Sequence, residues 1–198
     1  AGRDSGWFQN IATGGGHAIL GRSNTNNGYA LNAVSGDIRL SDGSTLPFTG
    51  AHLALFSKSS SISVGDIVCD DETVFTSIVD SITKVVVSSM PNEPACIGVY
   101  RKTDADFDVR DKIGDDGTLE ASYDQIQVNA VGEGAVNVCG ENGNISKGDL
   151  IVTSSTPGKG MRQSDDIVRS YTVAKAREDV TFSDPTEVKM VACIYLCG

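Results

Sequence analysis

Few residues in this chain could do chemistry, and most of them are carboxylates or thiols. Asp104, Asp106 and Asp108 reproduce the D-x-D-x-D opening of a calcium loop, where alternate carboxylates turn toward one ion. Such a loop needs glycine at its sixth position and a bidentate glutamate at its twelfth. Those places hold Val109 and Asp115, so the EF-hand reading fails and a solvated acidic loop is expected. His17 and His52 are the only imidazoles. His52 opens the apolar run His52–Phe56 and reads as a strand histidine, not as the base of a triad. Thr13–His17 lacks the Lys-Ser/Thr that completes a phosphate loop. The five cysteines, Cys69, Cys96, Cys139, Cys193 and Cys197, contain no C-x-x-C pair, which with two histidines argues against zinc. Isolated cysteines in strand-like runs usually act as small core hydrophobes. Cys193 and Cys197, close to the end of the sequence, are the candidates for a disulfide between subunits. No catalytic residue, cofactor site or metal site is expected, so an enzyme is not.

Elements that would position these residues are short strands. The heptapeptide Ile62-Ser63-Val64-Gly65-Asp66-Ile67-Val68 returns as Ile145-Ser146-Lys147-Gly148-Asp149-Leu150-Ile151, 83 positions on (62 to 145). Each copy is a Gly-Asp turn feeding an apolar strand. Further strands are expected at His52–Phe56, Ile67–Cys69, Val74–Val79, Lys84–Ser88 and Ala95–Arg101, and the β-branched triplet Val85-Val86-Val87 favours strand over helix. Gln125–Val131 alternates polar and apolar residues; a turn at Gly132–Gly134 then leads into Ala135–Cys139. Asp149–Thr153 and Val188–Cys197 complete the set, and 167–177 is expected to open with a helical turn before becoming a strand. The fold class is therefore all-β: two related small barrels or sandwiches, preceded by a Gly/Asn-rich segment of short strands. The expected domains are 1–46 (shaft-like or strand-exchanging), 47–103 (first β module), 104–122 (acidic connecting loop) and 123–198 (second β module).

Composition limits the partners. Net charge is −10, from 16 Lys+Arg against 26 Asp+Glu, and a phosphate backbone would be repelled, so nucleic acid is not expected. The longest apolar runs fall short of 18 residues, so no membrane insertion is expected. The sequence opens on Ala1 and is expected to be a fragment or a processed product. Residues 1–46 offer little apolar surface of their own and would gain from packing on another chain.

The stretch Lys147-Gly148-Asp149-Leu150-Ile151-Val152-Thr153-Ser154-Ser155-Thr156-Pro157-Gly158 resembles a module, K-G-D-L-L-V-T-S-S-x-P-G, of virion structural proteins of tailed phages, tail fibres and appendages among them. In that family the module ends in a strand closing on G-K-A; here the last strand reads Val173-Ala174-Lys175-Ala176, with Val173-Ala174 where the glycine would stand. Val131–Val138 resembles the strand pair before it, and Phe48–His52 a phrase that precedes such modules. The resemblance implies a structural protein at the virion surface or in the extracellular space. Its partner would be itself, as a trimer or helical array, and a host surface glycan or protein would be a further contact. Loops on a rigid scaffold carry such contacts, which makes Asn92, Glu93, Asp106, Asp108, Asp115, Asp116, Thr156 and Lys159 the candidate contact residues. On this reading, deleting Asp106–Asp116 should weaken adsorption without affecting folding. Two alternatives are a repeating subunit of an extracellular filament or coat without a receptor role, and a surface-glycan hydrolase, which would need converging carboxylates.

Overall fold

The computed structural model describes residues 49–78, 81–104, 109–114 and 116–197. The segment expected over 1–46, with His17, and the contact residues Asp106, Asp108 and Asp115 lie outside them.

Among the described residues nine strands carry the fold: β1 Thr49–Ser57, β2 Ile67–Thr76, β3 Ser81–Val87, β4 Cys96–Thr103, β5 Tyr123–Cys139, β6 Leu150–Thr153, β7 Gly160–Arg162, β8 Thr172–Ala176 and β9 Val188–Leu196. The protein is all-β, as its alternating and β-branched runs predict. The first five strands close a barrel in the order β1-β3-β2-β4-β5, with β5 returning to pair with β1. The other four are bonded outside it, and β5, β7, β6, β8 and β9 follow one another in the same cyclic order.

The two sets repeat each other pairing by pairing. β1 and β3 are parallel, and so are β5 and β7, though the latter share only the Val138–Gly160 pair. Every other neighbouring pair in both sets is antiparallel. One irregularity coincides as well. The β2–β4 register breaks between Val68 and Cys69, and the β6–β8 register breaks between Ile151 and Val152, the matching positions of the two heptapeptides. A bulge kept at the same step of both copies is a designed feature of the module.

Strand β5 belongs to both sets. Gly132–Gly134 does not turn the chain. Its 17 residues run straight through, the first part pairing with β1 and β4 and the second with β9. Gly132 sits at φ 104°, a left-handed conformation that glycine adopts at little cost. The ladders to β1 and β9 both reach this point, so the backbone hydrogen bonds on either side outweigh the tendency to fold back.

The inward faces form two cores. Ala54, Phe56, Val68, Val85, Tyr100, Ile126 and Val128 fill the closed barrel. Val136, Val138, Ile145, Ile151, Val173, Val191 and Tyr195 fill the second set, together with Ile67 and Val99 from the first. The acidic stretch is more than a loop: it carries two short helices, α1 Arg110–Ile113 and α2 Thr118–Ser122. Val109 is fully buried against Leu55 and Ile82, with Ile113 and Leu119 packed around it. Burying such a valine stabilises by about 1.5–3 kcal/mol. Deleting Asp106–Asp116 would therefore uncover core, and the expectation that it spares folding does not hold. The helical turn expected at the start of 167–177 is also absent: Ile167–Arg169 is irregular, Thr172 starts β8, and the Gln163 amide fastens the segment by donating to the Ile167 carbonyl at 2.7 Å.

Candidate functional site

Each heptapeptide folds into the same Gly-Asp corner. In the first, Asp66 N–H donates to the Ser63 carbonyl at 2.9 Å and its carboxylate accepts from Ser63 N–H at 3.0 Å. In the second, Asp149 and Ser146 make the same two bonds at 2.9 and 2.8 Å. Gly65 and Gly148 sit at φ 93° and 99°. Each glycine N–H is accepted by the strand alongside, from Tyr100 in one copy and Ala176 in the other, at 3.0 and 2.9 Å.

What covers the two corners differs. The first is sealed by the second strand set. Asn137 of β5 donates its backbone N–H to the Gly65 carbonyl at 2.8 Å, and its amide donates to the Val64 carbonyl at 2.9 Å and to Asp66 Oδ1 at 2.7 Å. Lys159 brings its ammonium onto the same Oδ1. Ile67 N–H donates to the Gly158 carbonyl at 2.7 Å, and Gly158 N–H to the Ser88 carbonyl at 2.8 Å. Residues 65–67 thus fill the gap between β5 and β7, which explains why those two strands share a single pair. Asp66 is left 5% exposed, its charge matched by Lys159 and its oxygens occupied. A buried carboxylate is tolerated only with that kind of pairing.

At the second corner Gly148 is exposed and Asp149 half-buried. A Cβ built on Gly65 would meet the Asn137 side chain at 3.0 Å, whereas one on Gly148 would meet only Lys175 Cε at 4.0 Å. Beside this corner runs an open groove of about 810 Å³, lined by Asp149, Leu150, Gln163, Asp165, Val168 and Lys175. Val168 is 62% exposed, and the neighbouring Ile167 is 56% exposed. Asp165 is held below the usual carboxylate range, first by its hydrogen bond from Arg169 and then by that from Gln163.

Of the expected contact residues that the structure describes, Asn92 and Asp116 are exposed and the others are half-buried. Lys159 is committed to Asp66. Asn92 N–H donates to the Thr153 carbonyl at 3.3 Å, and Glu93 N–H to Thr153 Oγ1 at 2.8 Å. The Glu93 carboxylate folds back onto Ser89 N–H at 2.9 Å. Thr156 is half-buried in the Ser154–Lys159 turn, where its N–H donates to Ser154 Oγ at 3.2 Å. Asp116 is exposed and accepts from Thr118 N–H and Oγ1 at 3.1 and 2.6 Å, opening α2. Asp104 accepts from Gln125 and Gln127 at 3.1 and 3.0 Å, so its carboxylate serves strand β5.

No family model matches this chain, and no curated protein matches it. Function therefore has to be read from the molecule itself.

The cysteines depart from the expected intersubunit bridge. Cys193 is fully buried in β9, and burial pushes its thiol up to about 12. It faces the core. Cys197 and Cys96 of β4 line the same small cavity and pack on the same apolar cluster. Among the described residues no three His, Cys, Asp or Glu side chains gather as a metal site, and no helix is long and apolar enough to cross a membrane. Sequence reasoning missed Asp66, Asn137 and Gly158 as partners. The one available signal was the repeated Gly-Asp itself, since nothing local in Asn137 or Gly158 points to a residue some 70 to 90 positions earlier.

Proposed function

We propose that this chain is a structural β module of a virion fibre or appendage, working as a homo-oligomer at the virion surface or in the extracellular space. The observation that carries the reading is the unequal covering of two matching corners. Gly65-Asp66 is buried under strands of the same chain, while Gly148-Asp149, with the same backbone bonds, faces an open groove with Val168 and Ile167 exposed beside it. A corner built to be covered, flanked by exposed apolar side chains, suits assembly. The occupant we assign to it is a second copy of the chain. The resemblance of 147–158 to phage virion modules supplies the setting.

Light scattering tests this. The wild-type chain should run as a multimer, and Asp149→Lys, which reverses the charge at the corner, should lower its mass toward one chain. A wild-type monomer at every concentration removes the assembly reading; a multimer that ignores Asp149→Lys keeps assembly and removes this corner from it. Electron images separate a few copies at a fibre tip from an open helical array, the latter favouring the filament subunit.

A further inference from the structure

We propose that Cys96 and Cys197 form a disulfide within one chain, a covalent staple between strand β4 of the closed barrel and the residue that follows β9. The proposal does not depend on the assembly reading, since both thiols belong to the same subunit.

Position carries it. Cys96 opens β4, and the β2–β4 ladder fixes it opposite Cys69 at the register break. Cys197 is held just as firmly. Its N–H donates to the Ala130 carbonyl at 3.0 Å, and its Sγ lies 3.4 Å from the Val173 carbonyl oxygen. Both side chains pack on the same apolar cluster and are half-buried. Both also line one small cavity of about 180 Å³, together with His52, Asp70 and Thr83. The two thiols are therefore adjacent, ordered by backbone bonds, and reachable from solvent. The other three cysteines lack that combination: Cys69, Cys139 and Cys193 are all buried.

Reactivity favours the same pair. Interaction with Cys197 holds the Cys96 thiol below its ordinary value and raises that of Cys197, so Cys96 is the thiolate that attacks first. Cys69, pushed up mainly by burial and next by the Glu93 carboxylate, stays a thiol. The oxidant is a small-molecule disulfide. Cys96 sulfur attacks one of its sulfurs, the S–S bond breaks, and one thiol leaves with a proton. Cys197 then loses its proton and attacks the Cys96 sulfur of the mixed disulfide, expelling the second thiol. Two protein thiols and one small disulfide become one protein disulfide and two small thiols.

The staple would close a loop running from residue 96 to residue 197, and long loops lose the most entropy when cross-linked. The experiment treats the full chain with glutathione disulfide, followed by alkylation, non-reducing peptide mapping and thermal melts. The expected product is a single chain lighter by two hydrogens, with Cys96 joined to Cys197, and a melting midpoint about 10 °C above the reduced protein. Cys197→Ser should abolish both the link and the shift. The wild-type map is decisive whether or not that variant folds. A Cys69–Cys96 link, a chain dimer through Cys197, or alkylated Cys96 and Cys197 after full oxidation would each overturn the assignment.

Discussion

Asp66→Ala should lower the unfolding free energy by about 3 kcal/mol, and Asp149→Ala by no more than about 1 kcal/mol, although the two aspartates hold the same place in the same turn. Both lose the bond from the Ser N–H three residues earlier, at 3.0 and 2.8 Å. Only Asp66 also answers a largely buried lysine and an asparagine amide. Removing it strands the Lys159 ammonium, whose side chain is 17% exposed, in a junction that offers no other carboxylate among its bonded partners. A stranded buried charge costs more than the pair contributed, because the full desolvation penalty stays while the attraction is lost. The residual exposure of Lys159 lets water return in part, which places the loss at the low end of the range for such pairs. The double change Asp66→Ala with Lys159→Met should then be less damaging than Asp66→Ala alone, since it removes the stranded charge and keeps the apolar stem. Urea titration of the four proteins measures this. Equal losses for the two aspartates would mean that the junction adds nothing to the corner it covers.

Gly98→Ala should be worse still, destabilising by about 4 kcal/mol or preventing accumulation of folded protein. Gly98 lies in β4 at φ 149°. A Cβ there would stand 2.3 Å from the Asn129 carbonyl oxygen and 2.9 Å from Val128 Cγ1. Neither neighbour can retreat. Asn129 belongs to the stretch of β5 paired on both sides, with Ala51 and with Val99, and Val128 is fully buried in the barrel core. Gly117→Ala is the control. Gly117 also has a positive φ, 102°, but nothing lies within 4 Å of its Cβ position, so only the backbone cost of about 1–2 kcal/mol applies. A Gly98→Ala protein no less stable than the Gly117→Ala one would show that the barrel wall yields at this point.

Much of the architecture is legible in the residues. β-branched runs and the alternation of Gln125–Val131 place strands where they stand, and the repeated heptapeptide announces two matching modules. Local chemistry suffices there. A glycine that takes positive φ and an aspartate that accepts from the N–H three residues back make the same corner wherever they occur. The pattern misleads where long-range bonding outweighs it. Gly132–Gly134 reads as a turn but is held straight by ladders on both sides, and the acidic stretch reads as a loop but buries Val109 beneath two short helices.

By itself, then, the sequence determined that this is an all-β protein with a duplicated Gly-Asp corner, because turn geometry and side-chain alternation act over a few residues. Only the tertiary structure decided that one corner is sealed by Asn137 and Lys159 while its twin faces a groove, and that Cys197 lines the same cavity as Cys96. Those outcomes depend on which distant strands close together. Periodicity says which face of a strand turns inward, but it carries no information about which partner arrives there.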